Sequence, residues 1–250
     1  MSPWYLFKHN YSLFVCSYVE LPLCFLPGWF LRSQLLEPML LGSKGSVDAA
    51  CLAMTRGWAI NLSGGFHHAT RSSGGGFCIF PDITFVSHFL RKIYGISKIM
   101  IIDLDAHQGN GHERDHAKEE NTFIIDAYNH RIYPGDELAM EAIKADIHVD
   151  YTDSDKEYLA KVDSAVHESI GIFQPEFVIY NAGTDCLVGD PLGCLGVSQE
   201  GIIKRDELIF KHCMDKKVPV VMLMSGGYQQ SNAEVISDSI ANLVKVFNLK

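Results

Sequence analysis

Ile99-Met100-Ile101-Ile102-Asp103-Leu104-Asp105-Ala106-His107 is an unbroken apolar run that ends on a cluster of acidic and imidazole side chains. An apolar run of this length suits a strand covered on both faces of a parallel sheet. Trp58-Leu62, Thr122-Ala127, Phe177-Asn181 and Val218-Met224 follow the same pattern, each running into a turn rich in Gly, Asp, Asn or His. Between them, Ile83-Tyr94, Asp155-Ile170, Gly201-Lys211 and Ala233-Phe247 carry apolar residues at three-to-four spacing. The alternation of strand and helix predicts an α/β fold, a central parallel sheet with helices on both faces. The first roughly 50 residues lack this pattern, and periodicity alone assigns them nothing.

Open sheets of this kind bind ligands beyond the carboxyl ends of their strands, so the residues just after each run carry the functional reading. They are Gly64-Gly65-Phe66-His67-His68, Asp103-Leu104-Asp105-Ala106-His107, Ala182-Gly183-Thr184-Asp185 and Ser225-Gly226-Gly227-Tyr228. Asp105 and His107 alternate at one strand end and so project to the same side. Asp185, after another strand, supplies a third ligand and leaves a coordination position open, as catalytic zinc requires. By ligand type Fe(II) and Mn(II) also fit. Singly, each of these residues reads as an ordinary turn aspartate or a lone histidine; their convergence on one side of the sheet is what points to a site. His112-Glu113-Arg114-Asp115-His116 matches the H-E-x-x-H pattern of zinc proteases, but glycines precede it and charges follow it. We read it as a solvated helix start rather than a protease motif.

Composition narrows the setting. The chain has 250 residues, 47% of them hydrophobic, enough for one large domain. Its net charge of -9 offers no basic footprint for direct nucleic-acid binding. Seven scattered cysteines form no C-x-x-C pair and read as reduced thiols. The apolar stretch Leu13-Phe30 is interrupted by Glu20, Pro22 and Pro27, which argues against a membrane span or a signal peptide.

Taken together, Gly64-Gly65-Phe66-His67-His68, Gly74-Gly75-Gly76-Phe77-Cys78, Asp103 to Gly111, Tyr180-Asn181-Ala182-Gly183-Thr184-Asp185 and Ser225-Gly226-Gly227-Tyr228 resemble, in order, the motifs of the zinc-dependent histone deacetylases, most closely their class IV branch. The resemblance implies the arginase-deacetylase fold over residues 25–250, with residues 1–24 unassigned, and a zinc ion on Asp105, His107 and Asp185. It implies that His68 is the general base and later acid, that His67 is its electrostatic partner oriented by Asp103, and that Tyr228 donates to the oxyanion. Gly76 and Phe77 would line a lysine tunnel, and a structural potassium would lie near Asp103, Asp105, His107 and Asp126. It further implies acyl-lysine protein substrates such as histone tails, other deacetylases or corepressors as partners, transcriptional repression, and a place in the nucleus and cytoplasm. An arginase-like dinuclear manganese site would need a second set of metal ligands, and none stands out in the sequence. Two departures qualify the resemblance. Asn110 stands where many relatives place an aspartate behind the second histidine, and the His-His pair arrives early, so the family's usual N-terminal elements are expected to be missing. An enzyme is therefore one reading, and a shortened, catalytically weak binding module in a repressor assembly the other.

Overall fold

The computed structural model describes residues 26–249. The expectations for residues 1–24 lie outside them. The described residues open with α1 (Gly28–Leu31), a π-helical turn (Arg32–Leu36) and the long helix α2 (Glu37–Arg56). It continues with β1 (Trp58–Asn61), α3 (Asp82–Phe89), extended by a π-helical turn (Leu90–Tyr94), then β2 (Ile99–Asp103), α4 (Asn110–His116) and β3 (Thr122–Tyr128). After these come α5 (Glu137–Met140), β4 (Ala145–His148), α6 (Asp155–Phe173), β5 (Phe177–Asn181), α7 (Gln199–Lys216), β6 (Val220–Leu223) and α8 (Asn232–Phe247).

The six strands form one all-parallel sheet in the order β1-β6-β5-β2-β3-β4. Because strand side chains alternate, each central strand feeds two cores. Ile99, Ile101, Phe177, Ile179, Val221 and Leu223 pack against Ala49, Ala50 and Ala53 of α2 and Ile83 and Val86 of α3. Met100, Ile102, Val178, Tyr180, Val220 and Met222 pack on the other face against α6, α7 and α8 through Tyr158, Val162, Ile209, Phe210, Val235 and Leu243. The helices cover both faces, as the alternation predicts. After β2 the chain adds β3 and β4 on one side, whereas β5 pairs with the other side of β2 and leads to β6. The order therefore switches between β2 and β5, and a crevice opens at their carboxyl ends.

Among the elements that escaped the sequence reading are α2 and β4. The helix α2 buries chiefly small residues, among them Gly42, Ser43, Ser46, Ala49, Ala50 and Ala53, so it carries no bulky apolar stripe to betray it. The edge strand β4 reads Ala-Asp-Ile-His and buries only Ile147, which leaves no apolar run. Among the described residues, no helix is long and apolar enough to cross a membrane.

The H-E-x-x-H segment corrects the expectation of a solvated helix start. It forms α4, and His112, Glu113 and His116 are buried. The two histidines nevertheless do not converge as a protease zinc pair: His112 Nε2 lies 2.8 Å from Asp103 Oδ2, and His116 Nε2 lies 2.7 Å from Ser87 Oγ. Charged residues at Arg114, Asp115 and Lys118 hid a face that packs against α3 and β2, because the buried side chains are themselves polar and are held by partners such as Asp103 and Ser87 that lie outside the helix.

His116 donates through Nδ1 to the His112 carbonyl at 2.7 Å and accepts from Ser87 at Nε2, an arrangement for the neutral ring. Burial pushes its pKa down from 6.5 to about 4. The unfolded chain takes up a proton below 6.5 that the native chain refuses until about 4, so stability is intact above that window and falls as pH drops through it. Urea unfolding at stepped pH should show His116→Gln losing less stability than the parent between those limits. The difference should be at most about 1.4 kcal/mol per pH unit.

Candidate active site

The crevice is furnished by four loops. The turn after β1 is shaped by the buried Asp82 at the start of α3, whose carboxylate accepts from Gly65 N and Phe66 N, each at 2.8 Å, and from Ser46 Oγ of α2 at 2.6 Å. That grip delivers His67 and His68 side by side, with ring centroids 4.1 Å apart. His67 Nδ1 meets Asp103 Oδ2 at 2.9 Å, and His68 Nδ1 meets Asn110 Oδ1 at 2.8 Å. Since the Asn110 oxygen can only accept, His68 carries its proton on Nδ1 and turns a lone pair outward from Nε2. Asn110 is itself held through Nδ2 by Asp136 Oδ2 at 3.3 Å.

The three ligand candidates converge. His107 Nδ1 lies 2.8 Å from Asp185 Oδ2 and 3.1 Å from Asp105 Oδ1. All three residues are buried, and their ligand atoms lie within 4.8 Å of one another. Their outer oxygens are already engaged: Ala106 N donates to Asp185 Oδ1 at 2.8 Å, and Gly226 N and Ser225 Oγ donate to Asp105 Oδ2 at 2.8 and 2.9 Å. Such contacts orient ligating groups. Gly226 is required for this packing, because a Cβ there would stand 2.7 Å from both Asp105 Oδ2 and Asp185 Oδ2.

Charge makes the same point. Burial and the neighbouring Asp105 push the Asp185 carboxyl up, while His107 is pushed up to about 10, burial being outweighed by Asp105 and Asp185. Two desolvated carboxylates around one imidazole exceed what a single proton offsets. A divalent cation bound by two carboxylates and a neutral imidazole balances the charge, so the residues fit a metal of the zinc class.

The histidine pair is electrostatically divided. His67 is pushed up to about 9, the lowering by burial being overcome by Asp105 and Asp103, whereas burial and the adjacent His67 push His68 down to about 3. The neighbouring carboxylates thus favour the protonated form of His67, and burial favours the neutral form of His68. Tyr228 is shifted upward by burial and by Asp105 and Asp185, so its hydroxyl stays a donor. Its ring stands 6.4 Å from that of His107 and 6.3 Å from that of Phe77, both edge-on. Gly76 lies at φ +48, and a Cβ there would sit 2.2 Å from His68 Cδ2. Only glycine allows this loop to press on His68 while Phe77 turns to the mouth, where it is exposed. The structure therefore brings together His67, His68, Asp103, Asn110, Asp105, His107, Asp185, Gly76, Phe77 and Tyr228. Asp126 sits behind them, its Oδ2 accepting from Gly109 N at 2.8 Å, in a buried trio with Asp103 and His112.

Sequence reading missed the supports. Asp82 and Asp136 show no motif beyond residue types common in turns, and Asn181 and Ser225, though inside the quoted motifs, receive no role there. Tyr133, whose ring lies edge-on 5.0 Å from His68, gives no signal either. Asp190 Oδ2 accepts from Tyr228 N at 2.9 Å and fixes that loop. Arg205, wholly buried on α7, donates to the carbonyls of Leu104, Ala182 and Gly183 and pairs with Asp206 at 2.9 Å. It clamps the loops after β2 and β5 that carry the three ligands.

With this geometry in place, the comparisons identify the class. The family model of the histone deacetylase domain matches residues 26–245, and the chain belongs to that family. It is 50% identical over 222 residues to Histone deacetylase 2 of Arabidopsis thaliana, covering 89% of this chain and 57% of that protein. It is 30% identical over 182 residues to Histone deacetylase 1 of Homo sapiens, covering 70% of this chain and 36% of that protein. The chain thus spans little more than half of the first relative and about a third of the second. Among solved structures, the HD domain of HDA15 aligns with a TM-score of 0.69 at 26% identity, over 83% of this chain and 60% of that one. The acetylpolyamine aminohydrolase from Burkholderia pseudomallei shares the fold, with a TM-score of 0.69 at 19% identity over 81% of this chain and 61% of that one. The architecture is that of the arginase-deacetylase fold, as the motifs imply.

Arg205→Met should destabilise the chain by about 3–5 kcal/mol, since it leaves the buried Asp206 without its counter-ion and takes the guanidinium from three buried carbonyls. The comparison is by denaturant titration, and a loss under 1 kcal/mol would show that the loops hold without the clamp. Asp185→Ala should lose the one zinc equivalent that the buried trio would hold, measured as the difference from the parent by elemental analysis after dialysis, while leaving far-UV circular dichroism unchanged.

Proposed function

We propose that the chain is a zinc-dependent protein lysine deacetylase or deacylase, in which Asp105, His107 and Asp185 hold the ion. The observation that carries the reading is the juxtaposition of that ligand trio with a tandem histidine pair whose members have different partners, a carboxylate for His67 and an amide for His68. Zinc in such a site supplies Lewis-acid polarisation of a carbonyl and acidification of a water. The rest of the chemistry falls to the side chains. His68 accepts the water's proton at its free Nε2 and later returns it to the departing lysine amine. His67, paired with Asp103, keeps positive charge beside the reacting centre. Tyr228 donates its hydroxyl to the oxygen on which negative charge develops, the contribution of a positioned donor. Phe77 and Tyr228, facing each other at the mouth, flank the aliphatic part of an acyl-lysine side chain, with Gly76 keeping the loop close.

Family membership supports acyl-lysine proteins such as histone tails as substrates, and the net charge of -9 favours encounter with basic tails. Action in the nucleus and cytoplasm, with other deacetylases or corepressors and with transcriptional repression as the outcome, belongs to the same proposal. A potassium ion near Asp103 and Asp126 would occupy a region where the second oxygen of Asp126 is buried without a hydrogen-bond partner. The principal test compares turnover of acetyl-lysine and long-chain acyl-lysine peptides by the zinc-loaded chain. Peptide binding without turnover would instead support the binding-module reading.

Tyr228→Phe should lower kcat by roughly 10²–10³ with zinc content unchanged, the usual effect of removing one such donor. An unaltered kcat would remove Tyr228 from the chemistry.

A further inference from the structure

A second constellation of metal-binding side chains lies at the outer edge of the sheet, sharing no residue with the site above. His130 follows β3, while Asp146 and His148 alternate along the edge strand β4 and so project to the same side. His130 Nε2 lies 3.1 Å from Asp146 Oδ1, and His148 Nε2 lies 3.6 Å from Asp146 Oδ2. The two imidazoles stack with centroids 3.3 Å apart and planes 12° apart, and His130 also stacks against Tyr128 at 3.9 Å. One ligand atom from each of His130, Asp146 and His148 lies within 4.8 Å of the others. Sequence reading found no second ligand set, because its members are 16 residues or more from His130 and meet only through the pairing of β3 with β4.

The hydrogen-bond arithmetic of His130 shows what the cluster lacks. Its Nδ1 faces the Tyr128 carbonyl at 3.2 Å, so that nitrogen carries a hydrogen. Its Nε2 faces a carboxylate oxygen, so a neutral ring would set lone pair against anion there. Either a second proton or a cation has to stand between them. His148 stacks on the face of the ring, and Arg131 is turned away to Asp150 at 3.1 Å, so neither stands between Nε2 and the carboxylate. A metal ion on Nε2 removes the conflict. The Nδ1–H held by a backbone carbonyl is also the device that fixes the tautomer of a ligating histidine.

We propose that His130, Asp146 and His148 form a peripheral binding site for a divalent transition-metal ion. Two imidazoles and a carboxylate with water completing the shell suit Zn²⁺ and its neighbours and not Mg²⁺ or Ca²⁺, which prefer all-oxygen shells. His130 is largely covered, its side chain 19% exposed, and fixes the position of the site; His148, at 68%, can rotate to complete it. The open side of the shell faces solvent, so this ion exchanges more readily than one in the buried trio. The segment from His130 continues to Tyr133, whose ring touches the His68 ring edge-on, so occupancy of the outer site bears on a wall of the inner crevice.

The test is titration of the full chain with ZnCl₂, by calorimetry and by zinc content after equilibrium dialysis. The parent should take up one zinc equivalent more than His130→Ala/His148→Ala, and His148→Ala alone should weaken that equivalent by at least about tenfold. Asp185→Ala should retain it, which separates the outer site from the inner one whatever the fate of the proposed activity. As a check that does not depend on variant folding, zinc added to the parent beyond the first equivalent should shift the imidazole proton resonances of His130 and His148. Equal zinc uptake and affinity in parent and His148→Ala would overturn the proposal, as would unshifted resonances of both rings at saturating zinc.

Discussion

Everything in the crevice is referenced to one buried carboxylate, that of Asp103. It ends β2 at the point where the strand order switches, and it has no solvent to satisfy it. Its oxygens instead take His67 Nδ1 at 2.9 Å, His112 Nε2 at 2.8 Å, Asn181 Nδ2 at 2.9 Å and Asp105 N at 3.2 Å. A desolvated carboxylate is costly unless paired and hydrogen-bonded. Here the compensation comes from four separate segments: the loop after β1, the helix α4, the end of β5 and its own turn. Burial would raise the Asp103 carboxyl, yet His67 and His112 hold it below the usual carboxylate range. The pairing that keeps Asp103 ionised thereby fixes the positions of the groups around it.

This explains why α4 carries buried polar residues. His112 is the second imidazole on Asp103, and Glu113 accepts from Gln108 Nε2 at 2.6 Å, whose own oxygen accepts from Asp136 N at 2.8 Å. Asp136 in turn holds Asn110 and receives Arg114 in two hydrogen bonds of 2.5 Å. A chain of polar contacts therefore runs from the exposed Arg114 to the back of His68. Its members look like an ordinary charged surface segment in the sequence, because the contacts that bury and satisfy them are made across segments.

The legible and illegible parts of the fold separate on the same physical ground. Strands β2, β3, β5 and β6 announce themselves because both faces are covered and their apolar runs are unbroken. Helices α6, α7 and α8 do so through their three-to-four spacing, and the motif residues do so because metal-type groups recur at strand ends. β4 is short, polar and at the edge, and α2 packs through alanine, serine and glycine, so neither leaves a hydrophobic trace. At the site, the residues of the buried trio and the histidine pair are written in motifs. Asp82, Asp136, Asp190 and Arg205, which hold those motifs in place, are not. A supporting residue needs only a donor or acceptor at the right place in space, and no local spacing records that.

The amide of Asn110 shows how the two levels combine. A carboxylate in its place would face His68 Nδ1 directly and favour imidazolium, with Asp103 already serving the adjacent ring. Two acids behind two adjacent imidazoles would favour a doubly charged pair whose centroids are 4.1 Å apart. The amide accepts from Nδ1 without adding charge, so one ring is held cationic and its neighbour neutral. The negative charge is displaced one step outward to Asp136, where Arg114 offsets it. The Asp136 carboxylate therefore lies behind an amide and is matched at the surface. The asymmetry between the two histidines follows from burial of His68, from the carboxylates beside His67 and from this placement of charge, and it leaves the outward Nε2 of His68 unprotonated.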